Sequence, residues 1–177
     1  MLILVAGLPG VGKTTVGKSI AKKLEAVFFE EDTIKHKLVP EVLGERKFRW
    51  HIEKLKVFPH YVRKMVYENV CGELEKLLKE RKDVVVEATF SNKEFRQMVY
   101  DLANKLEVKT HIVEIVCPED IVKQRMDKRR EETGHPARYG IHLEIKKIWE
   151  PIEEEHLIIN TNENIESQVN EFINSLK

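Results

Sequence analysis

The chain has 177 residues, 42% of them apolar and 34% charged, a length that makes residues 1–177 one domain with room for a proper core. Thirty Lys and Arg balance thirty Asp and Glu, so whole-chain charge provides no drive toward nucleic acid or an anionic membrane. No apolar run approaches the ~20 residues of a membrane span, and the opening apolar stretch is too short for a signal peptide; a cytoplasmic protein without membrane contact is expected.

Leu2–Ala6 is a continuous apolar run, as expected of a strand covered on both faces. Straight after it comes Gly7-Leu8-Pro9-Gly10-Val11-Gly12-Lys13-Thr14-Thr15, the phosphate-binding loop pattern G-x-x-x-x-G-K-[ST] in the strand–turn–helix context it requires. Its glycines accept backbone angles that a Cβ opposes, so successive N–H groups turn inward as an anion nest, and the following helix adds its positive end. Lys13 supplies a charge for the β- and γ-phosphates, and the Thr14 hydroxyl is placed to ligate Mg²⁺. Gly7, Pro9, Gly10, Val11, Gly12, Lys13, Thr14 and Thr15 are therefore the expected nucleotide-binding residues. The loop says nothing about what is done with the nucleotide.

Val16, Ile20 and Leu24 form the inner stripe of the helix that follows, and Ala26–Phe29 reads as a second strand, followed by Glu30-Glu31-Asp32. A helix over Thr33–Val39 leads into an excursion at about 39–60, longer than a minimal crossover needs. Between Gly44 and Met65, Arg46, Lys47, Arg49, Lys54, Lys56, Arg63 and Lys64 stand against Glu45 and Glu53, seven minus two giving +5, with Phe48, Trp50, Phe58 and Tyr61 interleaved. Charge with rings is what single-stranded RNA uses, so RNA contact through Arg46–Lys64 is one reading; simple solvation of the helix leading to Tyr61 is the other. Trp50 and Trp149 read as packing residues.

A long helix is expected over Tyr61–Glu80 and a third strand over Val84–Glu87. Ser91-Asn92-Lys93-Glu94 reads as a capping box opening the next helix. Thr110–Val116 is a fourth strand, and Pro118-Glu119-Asp120 starts a helix bearing Arg125, Arg129 and Arg130. Arg125 and Arg129 share a face, and Thr133-Gly134-His135-Pro136 supplies the break a lid over about 125–142 needs. Leu157–Ile159 is a fifth strand, and a closing helix carries Ile165, Val169, Phe172 and Leu176. Cys71 and Cys117, without ligand spacing, read as buried thiols. Strands alternating with helices imply an α/β fold around a parallel sheet, with ligands outside the carboxyl ends of its strands.

Taken together, the G-L-P-G-x-G-K-[ST]-T loop, Asp32 with Lys35 and Leu38 at three-residue steps, Glu87-Ala88-Thr89-Phe90 ending the third strand, and the arginine-bearing helix resemble the small P-loop kinases of the polynucleotide kinase, zeta toxin, gluconate kinase and adenylylsulfate kinase group. The first 25 residues and Trp149-Glu150-Pro151 are also similar to archaeal seryl-tRNA kinase. The resemblance implies the P-loop NTPase three-layer sandwich, a five-stranded sheet in the order 2-3-1-4-5, and ATP-dependent phosphorylation with Mg²⁺. It implies that Asp32 accepts the acceptor hydroxyl's proton, that Lys35 and Arg96 face the substrate, that Glu87 acts beside Thr14 at the metal, and that Arg125 and Arg129 join Lys13 in stabilising transfer. Lys35 stands where relatives often carry Arg, and Glu87 where they usually carry Asp. A small-molecule acceptor is the first reading, an RNA- or tRNA-directed kinase the second, and a nucleotide-hydrolysing regulatory module the third.

Overall fold

The computed structural model describes residues 1–54, 56–133 and 139–176. In chain order the elements are β1 (Leu2–Ala6), α1 (Lys13–Leu24), β2 (Val27–Glu30), α2 (Glu31–Leu43), α3 (Glu45–Glu53), α4 (His60–Lys79), β3 (Val84–Glu87), α5 (Lys93–Lys105), β4 (Thr110–Val116), α6 (Glu119–Thr133), α7 (Tyr139–Lys146), β5 (Leu157–Asn160) and α8 (Ile165–Ser175). The strands form one sheet in the order β2-β3-β1-β4-β5, parallel at every pairing.

The side-chain period of two sorts β1 between two cores. Leu2, Leu4 and Ala6 face a cluster completed by Val84, Val86 and the inner stripes of α4 and α5. Ile3 and Val5 face the other, shared with Val85, Val113, Ile115 and residues of α1, α6 and α8. All five β1 residues are buried, which explains the unbroken apolar run: neither face meets water. Register then aligns the strand ends, with Val5 beside Glu87 and Glu30 beside Glu87 across the next pair. The phosphate-binding loop, the start of α2 and the end of β3 therefore emerge side by side.

Three local expectations change. The excursion at 39–60 contains the end of α2 and all of α3, held by rings: Phe48 stacks on Phe58 at 5.9 Å, His36 meets Phe48 edge-on at 6.0 Å, and His51 lies 5.2 Å from Phe58. Phe48 and His51, three apart, share the inward face of α3; Trp50 falls off that face and is 48% exposed rather than packed. Trp149, by contrast, packs against the first core.

The capping box does not form. Asn92, not Ser91, precedes α5 and makes no side-chain cap. Glu150, far along the chain, accepts from the Lys93 N–H at 2.6 Å, while Glu94 pairs with His60 and Lys64. A distant carboxylate thus takes the role the local motif offered. Cys71 and Cys117 are free and only partly buried, with burial pushing the Cys71 thiol up to about 11. The expected break at 133–136 lies outside the described residues, apart from the end of α6. No described helix is long and apolar enough to cross a membrane.

Candidate active site

A cavity of about 810 Å³ opens at the carboxyl ends of the strands, where a parallel sheet places its ligands. Pro9, Gly10, Gly12, Lys13, Thr14 and Thr15 form one wall. Gly7 and Val11 shape the loop from behind: the Gly7 N–H donates to the Thr89 carbonyl at 3.4 Å, and the Val11 carbonyl accepts from Thr161 Oγ1 at 2.6 Å. Two glycines are demanded by geometry. Gly10 has φ +85° and approaches Met126 so closely that a Cβ would sit 2.6 Å from its sulfur; Gly12, at φ +99°, ends the loop with Thr161 Cγ2 3.0 Å from where a Cβ would be. Helix α6 and the turn after β5 thus press the loop into shape from outside.

Inside the cavity, Thr14 Oγ1 donates to Glu87 Oε2 at 3.0 Å. Lys13 Nζ lies 3.5 Å from Glu87 Oε1 and donates to the Leu8 carbonyl at 3.2 Å. A hydroxyl and a carboxylate therefore meet at one point beside a buried ammonium. Hard oxygen donors of this kind suit Mg²⁺, which takes few protein ligands and completes its shell with water and phosphate oxygens. Among the described residues there is no cluster of three or more His, Cys, Asp or Glu of the sort a closed all-protein metal cage requires.

The first turn of α2 brings Glu31, Asp32 and Lys35 to the same wall. Asp32 pairs with Lys35 and keeps 64% of its side chain exposed. Burial acts to raise the Asp32 pKa, but the Lys35 charge and hydrogen bond, helped by Lys13 and His36, outweigh it and hold the carboxyl below its ordinary range. Glu31 behaves oppositely. It is buried, and burial, reinforced by Asp32 and Glu87 against the pull of Lys35, raises its pKa. Lys35 is held strongly protonated, since Glu31, Asp32 and Glu87 overcome its own burial. The two adjacent carboxyls therefore have their pKa values pushed in opposite directions, and Glu31 is the neighbour the motif reading passed over.

The sign of the Asp32 shift yields a direct test. A depressed folded pKa makes the Asp32–Lys35 contact stabilising above the ordinary aspartate pKa, with that contribution lost as pH falls through the folded value. In Lys35→Met, NMR titration of the Asp32 carboxyl is expected to show its midpoint displaced to higher pH. An unmoved midpoint would sever the link between the two residues.

Helix α6 brings Arg125 and Arg129 to the cavity wall, as their shared face implies. Arg125 is committed to the turn after β5: Nη1 donates to Thr161 Oγ1 at 2.8 Å and Nη2 to the Thr161 carbonyl at 2.9 Å. Helix α7, which sequence reasoning missed, docks on the loop. Its His142 is 1% exposed, and Nδ1 donates to the Pro9 carbonyl at 2.8 Å. Thr161 was findable, since it follows a strand end; His142 carried no signal.

Arg96 does not face the cavity. It is fully buried, donating to the carbonyls of Phe90 (3.0 Å), Glu150 (3.1 Å) and Pro151 (2.7 Å), with Glu154 3.8 Å from Nε. Its helix turns it inward beside Phe95 and Val99, where a long guanidinium collects carbonyls that would otherwise lack donors. The basic stretch also disperses. Arg49 pairs with Glu45 and Lys64 with Glu94, Lys56 and Arg63 line the cavity, and Phe48 and Phe58 are stacked on each other, which lends RNA contact no support.

A family model described as an AAA domain matches residues 2–142, well over half the chain. The chain belongs to that family. The AAA-domain match contains the phosphate-binding loop, Asp32, Glu87 and the cavity-lining Arg63, Arg125 and Arg129, whereas Thr161 lies beyond it. No curated protein sequence matches the chain. Similar solved structures include a sugar kinase from Janibacter sp. HTCC2649, at 16% identity over 99% of this chain and 93% of that one, TM-score 0.78. A gluconokinase from Sinorhizobium meliloti 1021 aligns at 19% identity over 98% and 90%, TM-score 0.74. The APS kinase of Mycobacterium tuberculosis, solved with AMPPNP and APS, aligns at 19% over 99% and 96%, TM-score 0.71. The fold of this AAA-domain protein is that of the P-loop kinases.

Proposed function

We propose that this protein is a kinase that moves the γ-phosphoryl group of ATP to a hydroxyl of a small-molecule acceptor, with Mg²⁺. One observation carries the reading: a single cavity is lined both by the phosphate-binding loop and, past it, by Asp32 and a compartment walled by Phe58, Tyr67 and Phe95. A protein that only hydrolyses nucleotide as a switch has no use for the second compartment. The whole cavity, nucleotide and acceptor sides together, measures about 810 Å³, in the upper part of the range that encloses small ligands.

In this reading the loop N–H groups and Lys13 bind the phosphates. Thr14 and Glu87 are the residues that would hold Mg²⁺, whose charge would offset that of the phosphates. Asp32, ionised at neutral pH, orients the acceptor hydroxyl and takes its proton. The hydroxyl oxygen bonds to the γ-phosphorus, the bond from that phosphorus to the bridging oxygen breaks, and ADP leaves. Lys35 keeps Asp32 ionised and in place. Arg129, which also lines the cavity, stabilises the charge on the transferring group, and Arg125 joins it on leaving its contact with Thr161. Positioning and charge account for most of the rate in phosphoryl transfer.

The test is to incubate the protein with γ-labelled ATP and Mg²⁺ against separate pools of metabolites and RNA. Label is expected in a small molecule. Label in RNA, or release of inorganic phosphate at a rate no pool alters, would overturn the small-molecule reading.

A further inference from the structure

The cations of the cavity are not equivalent. Lys13 faces Glu87, and Lys35 faces Asp32. Arg63, in the first turn of α4, lines the same cavity yet makes no ion pair among the described residues. Its Nη1 donates to two neutral oxygens, Asn92 Oδ1 at 2.7 Å and Ser91 Oγ at 3.3 Å. Nε is buried without a partner, and Nη2 makes no hydrogen bond to the described residues either.

The side chain is nonetheless fixed. Its guanidinium lies over the Phe95 ring, 5.2 Å from the centroid, and Phe95 is stacked on Tyr67 at 4.4 Å with both rings buried. Tyr67 is in turn pinned by its hydroxyl, which accepts from the Phe90 N–H at 2.9 Å. Asn92, which holds Nη1, is itself bound to Glu150 at 3.4 Å. A rigid guanidinium with Nη1 satisfied by neutral partners and Nε buried without one keeps Nη2 for something else. A charged N–H donor of this kind suits an oxygen of a carboxylate or phosphate. Leaving a buried charged donor unmade is costly, and an incoming anion removes that cost. Half-burial bears against the charge, with only longer-range support from Tyr67, Glu150, Glu94 and Glu31.

We propose that Arg63 anchors an anionic group of the acceptor, so that the molecule phosphorylated is a hydroxylated acid or an already phosphorylated alcohol and not a neutral sugar. This rests on the kinase reading for the word acceptor, but the anion site itself is tested without it. The protein is loaded with Mg²⁺ and a non-hydrolysable ATP analogue, which fills the phosphate-binding loop, and titrated with inorganic phosphate and separately with acetate. Saturable thermal stabilisation is expected with at least one of them; the stronger of the two tells phosphate from carboxylate. In Arg63→Gln the stabilisation is expected to vanish, and in Arg63→Lys to return in part, because an ammonium keeps the charge without the fork. An equal response in the wild type and Arg63→Gln, or none in the wild type, overturns the site.

Transfer assays supply the second arm, with glycerate against glycerol and gluconate against glucose as paired acceptors. Preference for the acid of a pair, falling about 100-fold in Arg63→Gln as expected for loss of a charged hydrogen-bonded contact, supports the proposal. Transfer to the neutral member that is equal in both proteins overturns it while leaving the kinase standing. Anion binding lost in Arg63→Gln, together with no transfer to any acceptor of a broad metabolite pool, upholds the site and removes the kinase reading instead.

Discussion

Asp32→Asn is expected to lower kcat for phosphoryl transfer by about 10²–10⁴-fold, the usual contribution of a positioned base, while nucleotide binding is retained. The substitution keeps size and shape, so the first turn of α2 and its contact with Lys35 are disturbed little. What disappears is the capacity to take a proton. The direction of the Asp32 pKa matters here. Lys35, Lys13 and His36 hold it below the ordinary carboxylate range against the effect of burial, so the wild-type group is fully ionised at neutral pH and ready to accept. The same depression weakens it as a base, which fits a reaction in which the hydroxyl is oriented first and deprotonated late. Glu31, one residue earlier and buried, has its pKa raised and does not substitute, because its carboxyl is enclosed where the Asp32 carboxyl is open. Single-turnover measurement with labelled ATP separates the two effects. Unchanged transfer in Asp32→Asn, with ATP still bound, would remove Asp32 from the chemistry.

Arg96→Met is expected to destabilise the protein by about 3–5 kcal/mol, the range for breaking a buried charged network, and to lower Tm by roughly 6–20 °C for a chain of this size. Met fills much of the space but strands the carbonyls of Phe90, Glu150 and Pro151, which Arg96 now satisfies. Those three carbonyls belong to the segment after β3 and the segment after α7, so Arg96 ties the back of the cavity wall to the chain entering β5. Arg96→Lys is expected to recover only part of the loss, since one ammonium cannot span three fixed acceptors. The folded fraction, assayed well below the new Tm, is expected to keep its acceptor KM. A raised KM with unchanged Tm would return Arg96 to the substrate side, where the family resemblance first placed it.

The resemblance erred at Arg96 for a reason that recurs along the chain. A motif position says which turn of which helix a residue occupies, and α5 does begin where expected. Which way the guanidinium points depends on the Phe90 carbonyl six residues back and on two carbonyls 54 and 55 positions ahead, and nothing near Arg96 encodes the latter two. The capping box failed in the same manner: Ser91 and Glu94 had the right spacing, but Glu150 from beyond α7 reached the Lys93 N–H first. Helix α7 escaped notice because Tyr139–Lys146 is short and its inward residues, Ile141, His142 and Ile145, acquire a purpose only against the phosphate-binding loop and the cavity. Arg63 counted merely as one base among seven until Ser91, Asn92 and Phe95 surrounded it.

Local pattern alone was enough for the strands, the alternation with helices and the phosphate-binding loop. Each of these is decided over a few residues: by sterics at Gly10 and Gly12, by a period of two or 3.6, by continuous burial of Leu2–Ala6 between two helical layers. The β3 and β4 boundaries coincide with the apolar, β-branched runs Val84–Glu87 and Thr110–Val116. The family resemblance anticipated Glu87 beside Thr14 and the strand order, but the partners that hold the loop from behind came from the tertiary packing. Thr14 meets Glu87 across 73 residues, His142 meets Pro9 across 133, and Thr161 meets Val11 across 150. Those meetings follow from the strand order, which sets β1 between β3 and β4 and so gathers their carboxyl ends at one cavity. Strand order is fixed by the summed packing of both cores, a property of the whole chain that no local pattern carries.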